Sequence, residues 1–104
     1  MEKKVTIGDK EVLFKANAST PLRYRAMFKS DLLKDMERLQ KENDDTTPVL
    51  QLAFVMAKQA DPTLNLDIYD WLDQFEMIPF YNAMPEFLAL WGESNTSLET
   101  SKKK

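Results

Sequence analysis

Carboxylates recur at every third position in Asp67, Asp70, Asp73 and Glu76. Such groups ligate hard divalent cations or, in pairs, exchange protons with a substrate. Helical spacing by three, however, lays them along one face pointing outward in parallel, whereas a magnesium or calcium site needs oxygens that converge. The stripe therefore reads as a docking or solvating face. Glu42, Asp44 and Asp45 likewise lack the glycine and terminal glutamate of an EF-hand loop. The chain contains no His and no Cys, which removes the commonest general base, imidazole and thiolate metal ligands, cysteine nucleophiles and disulfides. Its two glycines, Gly8 and Gly92, form no phosphate-cradling loop, and no serine sits in a nucleophile elbow. The expectation is a protein that is not an enzyme, with no catalytic residue, cofactor or metal.

Charge is the stronger signal. Residues 61–99 carry eight acidic side chains and no Lys or Arg, while residues 1–29 carry seven basic and three acidic ones. The formal net charge of −3 conceals this division. Segregated charge bears on association, because copies can meet basic region against acidic region. Lys10, Lys15, Arg23 and Arg25 are the expected basic contacts, and Asp67, Asp70, Asp73 and Glu76 the acidic ones. A head-to-tail contact that does not close would build a helical array. The basic set with Tyr24 and Phe28 interleaved also has the look of a nucleic-acid footprint. The neighbouring acids repel phosphate and the pI is about 4.9, so a protein partner is the better reading and nucleic acid is not expected.

Aromatic residues and six methionines give this chain a heavy apolar load. Most of them must build the core. Phe80, Met84, Phe87, Leu88 and Trp91 read as packing residues, but residues 78–91 hold more large apolar groups than one helix face hides. Part of the segment is therefore expected to be exposed, and the apolar residues left over near Phe80, Tyr81, Phe87 and Trp91 to hold a client or the next subunit.

The elements that position these residues read as mainly α: a small helical bundle with an N-terminal β-hairpin at about 4–15. Residues 1–92 form one domain, and 93–104 a disordered polar tail ending in Lys102, Lys103 and Lys104. Val5, Ile7, Val12 and Phe14 alternate with polar neighbours around Gly8-Asp9-Lys10, giving a hairpin with one apolar face. Ser19-Thr20-Pro21 is a helix start with a capping hydroxyl, and Ser30-Asp31 a second cap, so the two segments are either continuous or bent near Lys29. Leu32, Leu33, Met36 and Leu39 form the stripe of the second. A polar loop at 41–47 leads to Thr47-Pro48 and a segment, 49–60, apolar around its whole circumference, as a central helix is. Asp61-Pro62 ends it. A helix over 66–75 is expected next, with Asp67 as cap. Pro79 and Pro85 then divide the remainder into short pieces, and Gly92 ends the last helix. No stretch approaches the ~20 apolar residues of a membrane span, and no signal peptide is evident, so a cytoplasmic protein is expected.

Three blocks carry a resemblance. They are Phe14-Lys15-Ala16 followed by Thr20-Pro21-Leu22-Arg23-Tyr24-Arg25-Ala26-Met27-Phe28; Phe54-Val55-Met56-Ala57-Lys58-Gln59-Ala60-Asp61-Pro62; and Trp71-Leu72-Asp73-Gln74-Phe75-Glu76-Met77, running on to Pro85-Glu86 and Leu90-Trp91. In this order they resemble the tail assembly chaperones of long-tailed bacteriophages and of prophages of Gram-positive bacteria. The resemblance implies a non-enzymatic protein of the host cytoplasm, absent from the mature virion, that binds and solubilises the tape measure protein and helps recruit tail tube subunits. It assigns no individual binding residue. The alternative is a small regulatory or nucleic-acid-binding helical module using the basic residues of 3–29.

Overall fold

The computed structural model describes residues 1–42 and 45–103, with side chains over 1–41 and 45–93. Strands β1 (Glu2–Ile7) and β2 (Lys10–Lys15) pair antiparallel, Val5 opposite Val12 and Ile7 opposite Lys10. The two-residue turn between them needs a positive φ, which Gly8 supplies at 65°. At the open end Met1 and Ala16 exchange both hydrogen bonds, each 2.8 Å. One face of the hairpin holds Val5, Ile7, Val12 and Phe14, and three of these are fully buried. Two strands alone are marginal in water, and this face is covered by helices.

Helix α1 (Thr20–Phe28) begins with Pro21 in its first turn, where no amide donor is needed. The chain breaks sharply after it, because Lys29 adopts the left-handed conformation at φ 57° and returns its N–H to Arg25 O. Two separate helices follow from that single residue. Helix α2 (Leu32–Glu42) is capped by Asp31, whose Oδ1 accepts from Lys34 N at 3.0 Å. Helix α3 (Thr47–Ala60) is the central element and touches β2, α1, α2 and the two later helices. That placement explains its apolar circumference, for Leu52, Ala53, Val55 and Met56 have no exposed side.

Helix α4 (Ile68–Leu72) is one short turn, and α5 (Met77–Lys103) follows. The architecture is thus mainly α with an N-terminal hairpin, as the sequence predicts. Trp71 anchors α4 in the core, its ring centroid 5.1 Å from Phe75, 5.6 Å from Phe54, 5.8 Å from Phe80 and 6.3 Å from Phe14. These contacts tie three helices and the hairpin to one indole.

Several local expectations are corrected. Ser19 makes no side-chain cap; its N–H and hydroxyl both donate to Asn17 Oδ1, at 2.9 Å each, so Asn17 organises the turn instead. Leu33 belongs to no core stripe and is exposed, because α2 buries only the side carrying Leu32 and Met36. The expected helix over 66–75 shrinks to 68–72, since Asp73 and Phe75 donate their N–H groups to Tyr69 and Leu72 in closing turns. Neither Pro79 nor Pro85 divides α5. Pro79 stands among the first-turn residues whose amides are unbonded anyway, and Pro85 forfeits only the bond to the carbonyl of Tyr81. Gly92 does not end the helix either; it lies within it. Beyond Glu93 the expected disordered tail falls outside the described side chains.

Candidate functional site

Asp67, Asp70, Asp73 and Glu76 are all exposed, but they do not form the face of one long helix. Asp67 is the N-cap of α4 and accepts from Asp70 N at 2.8 Å. Asp70 lies in the first turn, where negative charge meets the positive end of the helix dipole. Asp73 is the C-cap, and Glu76 O accepts the Phe80 N–H at the start of α5. The acids therefore follow a bent path across α4 and into α5. Among the described residues, no three Asp or Glu side chains are placed to hold a metal ion.

The basic residues are dispersed over two elements. Lys10 and half-buried Lys15 lie on β2, and Arg23 and Arg25 on α1, where Arg23 Nε donates to Ser19 Oγ at 3.0 Å. Leu22, Arg25, Ala26 and Lys29 line a groove of about 340 Å³ along α1. The basic hairpin also meets the acidic part of the chain within one molecule, as Lys3 Nζ stands 3.6 Å from Glu86 Oε1. Sequence halves of opposite sign are thus partly folded onto each other. Lys3–Glu86, Lys4–Glu11 and Arg38–Asp35 are the ion pairs among the described residues, and none of them uses Arg23, Arg25, Asp67, Asp70, Asp73 or Glu76.

The expected apolar site near the C-terminal helix is corrected. Phe80, Phe87 and Trp91 are buried, Phe87 completely, because α5 turns that side onto β1 and Trp71. Phe87 packs against Phe14 with centroids 4.8 Å apart. Of the four only Tyr81 is exposed, and it shares the first turns of α5 with exposed Met77 and Ile78.

A larger concavity than the groove along α1 lies elsewhere. A cleft of about 730 Å³ runs beside β2, walled by the end of α3, residues 61–66 and α4. Its floor is apolar, with Val12, Ala57, Ala60, Leu64, Trp71 and Phe75, and Glu11, Lys10 and Asp61 stand at the rim. No motif in the sequence marks this region. A signal was present: Leu13 is apolar at an outward position of a strand whose inward residues are Val12 and Phe14, and it remains exposed.

The buried polar groups are structural. Tyr24, Ser30 and Arg38 surround the buried Asp35 carboxylate, and Gln59 binds Thr20 and Asn17. Burial first, and then the Asp35 carboxylate that accepts its proton, push the Tyr24 phenol well above its ordinary value. Among the described residues every buried side-chain polar atom has a partner, so none is left aimed at an absent ligand. None of the helices, over the described residues, is long and apolar enough to cross a membrane. No protein-family model, curated protein or solved structure matches this chain.

Proposed function

We propose that this chain is a tail assembly chaperone of a long-tailed phage or prophage, working in the host cytoplasm and left out of the finished virion. It binds and solubilises the tape measure protein and helps bring in tail tube subunits. The reading rests on the three sequence blocks and on one observation of the surface. Arg23 and Arg25 on α1, and Asp67, Asp70, Asp73 and Glu76 around α4, are exposed, opposite in sign and outside the ion pairs found among the described residues. Two such surfaces on different elements favour contact between neighbouring copies, basic side to acidic side, along a long client. Exposed charge of this kind sets orientation and encounter rate more than affinity, and salt screens it.

Co-expression with the tape measure protein encoded in the same genome tests the first half. The soluble yield of the tape measure protein rises with the chain present; an unchanged insoluble yield sinks the chaperone reading. Sedimentation velocity tests the second. Larger species at low salt should dissociate as salt increases, and Arg23→Glu with Arg25→Glu should remove them. A monomer at low salt and high concentration, with and without the client, refutes the array.

A further inference from the structure

We infer that the free edge of β2 and the cleft beside it form a docking site for an extended peptide segment rich in Lys or Arg, with apolar residues at alternate positions. This goes beyond the chaperone reading and stands without it.

Edge geometry comes first. Met1 and Ala16 form a mutually hydrogen-bonded pair, and such pairs alternate along an antiparallel ladder. With Lys3 opposite Phe14 and Val5 opposite Val12, the N–H and C=O groups of Glu11 and Leu13 point away from β1. No backbone hydrogen bond among the described residues reaches them. An unpaired strand edge of this kind is a template for another strand.

Room for that strand follows from the layers. Paired strands lie ~4.8 Å apart, whereas packed helices lie ~8–10 Å apart. Here α5 packs against β1 and α3 against β2, so helices at that spacing make a layer wider than the two strands, and the end of α3 lines the cleft beside β2. The small residues Ala57 and Ala60 face the resulting shelf. A third strand laid there places every second side chain into the cleft against Leu64, Trp71 and Phe75.

The same widths argue against a second copy of β2 as occupant. It would arrive with its own α3 beneath it, and two helices cannot share the space under neighbouring strands.

Charge selects the peptide. Among the described residues lining the cleft Lys10 is the one base, beside Glu11 and Asp61. The wall is drawn from residues 61–76, a segment with no base; of its acids Asp61 lines the cleft, while Asp67, Asp70, Asp73 and Glu76 are exposed on the same segment outside the lining. A strand with Lys or Arg at its solvent-facing positions complements this wall, and one with Glu is repelled.

The test uses the full chain and three synthetic heptapeptides: alternating Lys and Val, alternating Glu and Val, and the first with a central Pro. Tryptophan fluorescence reports binding through Trp71, and amide exchange reports its place. The Lys-Val peptide should bind, slow exchange at Glu11 and Leu13, and leave the amides of Val12 and Phe14 unchanged. The Glu-Val and Pro peptides should bind at least about tenfold more weakly. Leu13→Pro removes one outward donor without touching the ladder to β1, and Ala60→Trp plugs the shelf. Each should weaken the Lys-Val peptide by about tenfold while thermal unfolding confirms an intact fold. Absence of binding at about 1 mM, equal binding of the Glu-Val peptide, or protection away from Glu11 and Leu13 overturns the proposal. Protection of those amides that rises with protein concentration alone makes a second copy the occupant, and overturns it too.

Discussion

Tyr24 donates its hydroxyl proton to Asp35 Oδ2 across 2.8 Å, in a site where both side chains are buried. The hydroxyl also stands 2.9 Å from Gln51 Oε1, and Ser30 Oγ donates to the same carboxylate oxygen at 2.7 Å. One phenol thus joins α1, α2 and α3. Tyr24→Phe leaves the carboxylate short of a donor and should destabilise the protein by about 1–3 kcal/mol, measured by urea unfolding at neutral pH. A change within a few tenths would show that the pair is neutral to stability.

The same pair sets an alkaline limit. Its folded pKa is raised, so the unfolded chain releases the phenolic proton first. The stabilisation is complete below the unfolded value of about 10 and declines as pH rises from there toward the folded value, by up to about 1.4 kcal/mol per pH unit. Tyr24→Phe should remove this part of the slope. Asp45 has the opposite sign: the Thr47 N–H at 3.0 Å lowers its pKa, so its contribution is present above the unfolded carboxylate value and is lost as pH falls through the folded one.

Gln59 Oε1 accepts from Thr20 Oγ1 at 2.8 Å, and Gln59 Nε2 donates to Asn17 Oδ1 at 2.7 Å, fastening the turn before α1 to the end of α3. Gln59→Ala should cost about 1–3 kcal/mol, because the Thr20 hydroxyl is fully buried and loses its acceptor. Thr20→Val combined with Gln59→Leu should cost less than the sum of the single changes, since both polar groups leave together. A double-mutant cycle by denaturant unfolding reads the coupling.

Phe87 and Tyr81 separate core from surface on one helix. Phe87→Ala removes a fully buried ring packed at a tilt against Phe14 and should cost about 3–5 kcal/mol. Tyr81→Ser should change stability by no more than about 0.5 kcal/mol. If thermal unfolding showed the two variants alike, the inward assignment of Phe87 would be wrong.

Lys29 carries a side chain at φ 57°, a conformation glycine adopts without steric cost. Lys29→Gly should therefore raise stability by about 0.5–1 kcal/mol, seen as a higher denaturant midpoint with an unchanged slope. A loss of stability would mean that the lysine side chain makes a contact worth more than the strain it carries.

The amino-acid sequence alone determined the hairpin, several helix starts and the bundle's centre. Alternation at Val5, Ile7, Val12 and Phe14, the permissive Gly8, Pro21 and Pro48 at helix starts, Asp31 and Asp67 as caps, and the apolar circumference of 49–60 are all short-range signals, and each corresponds to an observed feature. What lies on the surface was decided by tertiary packing. Phe80, Phe87 and Trp91 look like surplus apolar groups until α5 is laid against β1, because periodicity gives a helix an apolar side but not the area of its neighbour. The acidic stripe presumes ten residues of helix, whereas Trp71 is gripped by four aromatic rings and α4 closes after five residues. Of the cleft beside β2 the sequence shows only an apolar residue, Leu13, at an outward strand position. The cleft forms where β2, the end of α3 and residues 61–75 come together, a relation between distant segments that no single segment encodes.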